Sequence, residues 1–185
     1  MDPWAPILCV RSGSLRRRAM YERILVALDG SPTSDRALAE AIRLAQRLDA
    51  ELVVAHVIDN SFIRYDIGYT DVGGFMELLR EQGKQIVANG LDQAKKAGVR
   101  ARTLLVDDPL ASFDIGLAIE QVARETGAQL LVLGTHGRRG VRRLLLGSVA
   151  ESVARQSRLP VLLVRGVPEA STERSSADVT HGVAA

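Results

Sequence analysis

Five short apolar runs punctuate this chain: Arg23–Leu28, Glu51–Ile58, Val99–Val106, Gln129–Leu133 and Pro160–Val164. Between successive runs lie stretches in which apolar residues recur every three or four positions, the spacing of an amphipathic helix. Runs this short and this continuously apolar suit strands buried on both faces. Parallel neighbours in such a sheet need a crossover, usually a helix. The alternation therefore predicts an α/β fold, a doubly wound open sheet of five parallel strands with helices on both faces, Rossmann-like in kind. Sheets of this kind bind ligands beyond the carboxyl ends of their central strands.

Local signals sharpen the boundaries. The first strand ends at Asp29-Gly30-Ser31-Pro32, with Ser31 as N-cap and Pro32 at the first helical position. Ala37, Leu38, Ala41, Ile42, Ala45 and Leu48 then form one apolar stripe. A long loop, Asp59–Gly73, precedes a second helix over Phe75–Ala97, whose stripe is Leu78, Leu79, Ile86, Val87, Leu91 and Ala94. Gly90 costs that helix roughly 1 kcal/mol relative to alanine, and Gly98 ends it. Val99–Val106 alternates, with Arg100 and Arg102 on one side, as a sheet edge does. Asp108-Pro109 opens a third helix running to about Thr126, with Gly127 after it, and a fourth runs from Ser148 to about Gln156.

Composition narrows the functional classes. A single cysteine, Cys9, excludes an intrachain disulfide framework and a cysteine-rich zinc site, and fits a reducing compartment such as the cytoplasm. No apolar run reaches the ~18 residues that span a bilayer. Residues 1–20 carry four arginines against one aspartate, and 166–185 are rich in Ser, Thr, Ala and Glu, so both read as disordered extensions around a domain at 21–165. Met20 is an alternative start to Met1. The sparse aromatics argue against a platform for single-stranded nucleic acid. Three histidines, 56, 136 and 181, lack metal-ligand spacing.

The densest chemistry lies after the fourth strand, in Gly134-Thr135-His136-Gly137-Arg138-Arg139-Gly140-Val141-Arg142-Arg143-Leu144-Leu145-Leu146-Gly147-Ser148. Glycines let backbone N–H groups reach a ligand and permit the positive φ of an anion-cradling turn. Gly147-Ser148 opens a helix whose first N–H groups and dipole favour phosphate. The Ser148 hydroxyl can donate to a phosphate oxygen or ligate a phosphate-bound Mg2+. Neither G-x-x-x-x-G-K-[ST] nor a G-x-G-x-x-G after the first strand is present, which removes a P-loop NTPase and a dinucleotide fingerprint.

At Gly134, Gly137, Gly147 and Ser148 the chain resembles the universal stress proteins, whose ATP-binding signature is G-x2-G-x9-G-[ST]. The resemblance runs over about Tyr21–Arg165 and includes Val26–Ser31, His56–Asp59 and Pro160–Val164. It implies the adenine nucleotide alpha-hydrolase-like version of the fold and an ATP site. Asp29, with Ala27 and Leu28, would hold the adenosine end, and Val57 would line the adenine pocket. Leu133 and Gly134 would sit near the ribose. Gly137, Arg138, Gly147, Ser148, Val149 and Ala150 would surround the phosphates, with Ala150 standing where other members carry a hydroxyl. It further implies a homodimer through the last strand, Pro160–Val164.

Function on this reading is nucleotide-dependent stress response or signalling. No water-positioning Gln or Glu lies near the loop, so hydrolysis is slow at most. An ATP-hydrolysing enzyme and a nucleotide-free dimeric scaffold stay open as alternatives. His136 is either a phosphate donor or a solvent-facing loop residue, and His56 either a core histidine or a ligand. The arginine cluster, without aromatics or a recognition helix beside it, gives only salt-sensitive nucleic-acid affinity.

Overall fold

Strand residues alternate between two faces of a sheet, and here both faces are apolar. In the computed structural model, which describes residues 20–59, 72–107, 114–137 and 146–166, nine elements follow in order: β1 (Arg23–Ala27), α1 (Pro32–Leu48), β2 (Glu51–Val57), α2 (Val72–Lys96), β3 (Ala101–Val106), α3 (Ile115–Thr126), β4 (Leu130–Gly134), α4 (Ser148–Gln156) and β5 (Val161–Val164). All strand pairs are parallel, in the order β3-β2-β1-β4-β5. Ile24, Val26, Leu52, Val54, Leu130 and Val132 form one buried layer with Ala37, Leu38, Ala41, Ile42 and Ala45 of α1 and Val87 and Ala94 of α2. Leu25, Val53, Ala55, Val57, Leu131 and Leu133 form the other, beneath Ala118, Ile119, Val122 and Ala123 of α3 and Ala150 and Val153 of α4. This is the expected doubly wound sheet, with β3 at one edge and β5 at the other.

The turn chemistry read from sequence is present. Ser31 caps α1, its Oγ accepting from the Ser34 N–H at 3.2 Å, with Pro32 at the helix start. Gly98 and Gly127 take positive φ beyond α2 and α3. At the amino ends of the strands Glu51 ties three of them together, accepting from Arg23 at 2.7 Å and Arg102 at 3.0 Å. The Arg23 hydrogen bond, with both guanidinium charges, holds the Glu51 carboxyl below its usual range despite partial burial.

Two expectations need correction. The described third helix begins at Ile115, not at Asp108-Pro109: Asp114 is its N-cap, accepting from Gly116 and Leu117 N–H at 2.8 and 3.2 Å. Residues 108–113 lie outside the described residues. Leu78 is not in the α2 stripe but 52% exposed. The stripe that faces the sheet includes Gly83 and Gly90, where a Cβ would lie 2.6 Å from Leu105 Cδ1 and 2.8 Å from Val54 Cγ1 respectively. Gly90 therefore costs helix propensity but lets α2 lie close on β2 and β3. The expected extensions, apart from Met20 and Gly166, and most of the loop after β2 also fall outside the described residues.

Candidate functional site

Strand order reverses between β1 and β4: β2 and β3 lie on one side of this pair and β5 on the other. At such a switch point the loops after two neighbouring strands diverge and leave a crevice. A cavity of about 710 Å³ opens there, within the range of small-ligand sites, roughly 300–1,000 Å³. Of the residues predicted for a site, Ala27, Leu28, Asp29, Val57, Leu133, Gly134, Gly137, Gly147, Ser148, Val149 and Ala150 all line it. Arg138 lies outside the described residues, as do Arg139, Arg142 and Arg143.

Each glycine of the signature has a steric reason, and it is not the expected one. Among the described glycines positive φ belongs to Gly30, Gly98 and Gly127, not to Gly134, Gly137 or Gly147. These three are needed for space. A Cβ at Gly134 would sit 2.8 Å from Thr33 Cγ2 and 3.2 Å from the Thr33 carbonyl carbon and oxygen at the start of α1. One at Gly137 would collide with Asp29 Oδ2, and one at Gly147 would press on the Thr135 oxygen at 3.1 Å. The Thr135 oxygen in turn accepts from the Gly147 N–H at 2.8 Å, while the Thr135 N–H donates to the Val164 oxygen at 2.9 Å. The loop after β4 is thus tied both to β5 and to the start of α4.

One end of the cavity suits an anion. Gly147, the N-cap of α4, has no side chain to accept from the helix's first N–H groups. The first intrahelical bond runs from the Glu151 N–H to the Gly147 oxygen at 2.8 Å. The N–H groups of Ser148, Val149 and Ala150 precede it and need an outside acceptor. Half-buried His136 lies at the same end, its Nδ1 2.9 Å from Thr135 Oγ1.

The rest of the lining is mostly apolar and includes one strand edge. Leu133, Ile115, Ile119, Phe75 and Leu79 belong to it with Val57. Odd-numbered residues of β2 bond toward β1: the Glu51 N–H donates to the Glu22 oxygen at 2.9 Å, and the Ala55 oxygen accepts from the Leu28 N–H at 2.8 Å. The next rung would join the Val57 N–H to the Leu28 oxygen, but no such bond is made among the described residues. That oxygen lies 2.6 Å from His56 Nδ1. Asp29 follows Leu28, its Oδ1 accepting from the Ser31 N–H at 3.0 Å across the Gly30 turn.

Sequence reading missed the helix residues of the lining. Phe75, Leu79 and Gln82 come from α2, and Ile115 and Ile119 from α3. Leu79 carried only the signal of an apolar stripe, and Ile115 was hidden by the misplaced helix start. Asp114 holds that start in place, accepting also from Ser152 Oγ of α4 at 2.9 Å and Gln156 Nε2 at 3.2 Å. Burial pushes the Asp114 carboxyl up. Hydrogen bonds from Ser152, Gln156 and the Leu117 and Gly116 N–H groups outweigh it and leave the carboxyl below its usual range. Among the described residues no three His, Cys, Asp or Glu side chains gather as a metal site, and no helix is long and apolar enough to cross a membrane.

Comparison with known proteins adds a family to this geometry. The model of the universal stress protein family matches residues 20–165. A universal stress protein of Methanocaldococcus jannaschii is 34% identical over 149 residues, covering 79% of this chain and 83% of the relative. Among solved structures, one from the universal stress protein family of Burkholderia pseudomallei aligns with a TM-score of 0.65 at 35% identity, covering 79% of this chain and 97% of its own. Another, a universal stress protein in complex with cAMP, aligns with a TM-score of 0.53 at 28% identity, covering 78% and 97%.

Proposed function

The chain belongs to the universal stress protein family, and from that premise we propose that it holds ATP and acts as a nucleotide-dependent stress-response or signalling module. The observation that carries this reading is the joining, in one cavity, of an apolar slot at Val57 and Leu133 to the open start of α4 at Gly147 and Ser148. The cAMP complex of a relative at 28% identity supports an adenine nucleotide as the ligand class.

Adenine is a flat apolar ring with a donor and an acceptor on one edge, which matches the slot beside the Val57 backbone. Asp29 and Gly134 flank the place for the ribose. A phosphate chain would accept from the N–H groups of Ser148, Val149 and Ala150, where the helix dipole adds its field. A Cβ at Gly137 or Gly147 would press on Asp29 or Thr135, so these glycines let the loop lie close at the cavity's rim. Mg2+ would travel on the phosphates, where the Ser148 hydroxyl could serve as a ligand.

A slow ATPase is the second reading, favoured by Asp29 and His136 both lining the cavity. Turnover at the rate of an ordinary ATPase, lost on changing either residue, would promote it. The sheet edge at β5 also supports a homodimer. Val161–Val164 is an apolar outer strand with half-buried side chains, and an open apolar edge of this kind is a template for pairing. A monomer in sedimentation at about micromolar concentration would count against the dimer.

The test of the main reading is an ATP-dependent thermal shift. Ligand at ~100 times Kd stabilises by about 2.7 kcal/mol, worth roughly 5–10 °C in a chain of this size. Gly147→Val combined with Ser148→Ala should abolish the shift. A parent protein with no shift sinks the reading, and a double variant that keeps it moves the site elsewhere.

A further inference from the structure

The missing rung at Val57 coincides with a contact made by the side chain next to it. His56 is 8% exposed, and its Nδ1 lies 2.6 Å from the Leu28 oxygen. A carbonyl oxygen can only accept, so Nδ1 carries the proton in this contact. The imidazole thereby sits on one lone pair of the oxygen to which the β1–β2 ladder would otherwise join the Val57 N–H, and that rung is not made. Space for the ring comes from α2: a Cβ at Gly83 would lie 2.9 Å from His56 Cδ2. On the crevice side, Val57 is left with an N–H donor and, because β1 ends at Ala27, a carbonyl acceptor beside the cavity.

We propose that His56 is a positioning residue for base selectivity, sequestering the Leu28 carbonyl so that the Val57 N–H stays available to a ring nitrogen of the bound base. The role rests on the ATP reading above and deepens it. A donor next to an acceptor on one strand residue matches adenine, whose N1 accepts and whose N6 amino group donates. It mismatches guanine, whose N1 donates and whose O6 accepts. Without the imidazole, the Val57 N–H can close onto the Leu28 oxygen and extend the ladder by one rung. The slot then keeps its shape and loses its donor.

The experiment compares ATP with 1-deaza-ATP, in which C–H replaces the N1 acceptor, by calorimetric titration of the full chain. The parent should prefer ATP roughly tenfold, the worth of one well-made hydrogen bond. In His56→Leu that preference should fall to about twofold or less, whatever happens to overall affinity. His56→Asn, which places an N–H donor near the position of Nδ1, should restore it. A ratio that general loosening would leave alone separates selectivity from a merely structural role. If the parent prefers ATP and His56→Leu keeps the same preference, the role of His56 is overturned while the ATP reading stands. If the parent binds neither nucleotide, both fall. Should His56→Leu not fold, amide exchange in the parent decides. The Val57 N–H should exchange faster than that of Ile58, which donates to the Val106 oxygen at 3.0 Å, and should be slowed by ATP but not by 1-deaza-ATP. A Val57 N–H already protected without nucleotide overturns the proposal.

Discussion

Gly134→Ala adds one methyl group at the point where β4 passes the start of α1, and the structure says why that is costly. The new Cβ would lie 2.8 Å from Thr33 Cγ2, which can turn, but also 3.2 Å from the Thr33 carbonyl carbon and oxygen, which cannot. The first turn of α1 is fixed by the Ser31 cap and by the Ser34 hydroxyl donating to the Ser31 oxygen at 2.8 Å. β4 is held by its partners β1 and β5 and by the Thr135 N–H bond to Val164. Neither side gives easily. Gly134 does not sit at positive φ, so backbone strain adds nothing. Overpacking of this kind costs about 1–3 kcal/mol. At 2 kcal/mol and roughly 2–4 °C per kcal/mol for a chain of this size, Tm falls by about 4–8 °C. The assay is thermal denaturation followed by circular dichroism, without nucleotide. A Tm equal to or above that of the parent would refute the steric account of this glycine.

Gly137→Ala should behave differently, because its methyl meets the movable carboxylate end of Asp29. Tm should change little while ATP affinity drops by roughly fivefold, about one hydrogen bond's worth, as paired melting and titration would show. Gly90→Ala gains roughly 1 kcal/mol of helix propensity yet should lower stability in urea denaturation, since its Cβ would meet Val54 Cγ1 at 2.8 Å and Leu28 Cδ1 at 3.0 Å. Asp114 has a depressed carboxyl in the folded state. Its stabilisation is therefore complete above the unfolded value, about 3.9, and is lost as pH falls through the lower folded value. Asp114→Asn should be less stable at neutral pH and show a shallower loss of stability on acidification below about pH 4. Glu51, depressed in the same direction, accounts for part of the slope that remains.

Much of this fold is written in local sequence. The apolar runs at Ile24–Val26 and Leu131–Leu133 read as buried strands because they are buried on both faces, and Ser31-Pro32 starts a helix by chemistry that needs no distant partner. The Gly134, Gly137, Gly147 and Ser148 pattern marked the site for the same reason, being contained in one loop and one helix start. What stayed hidden depends on neighbours across the fold. Gly90 looked like a defect until α2 was seen against Val54 and Leu28. Asp108-Pro109 carried the stronger local start signal, but Asp114 gains Ser152 and Gln156 of α4, which sequence spacing does not reveal. His56 resembled an ordinary core histidine, and only the β1–β2 register shows which carbonyl it occupies.

Whether this cavity holds ATP is decided by titrating nucleotide-free protein with Mg2+-ATP in a calorimeter. Saturable binding of one nucleotide per chain is expected, removed by Gly147→Val with Ser148→Ala. Absence of measurable heat up to about millimolar ATP, in protein shown by circular dichroism to be folded, would contradict it.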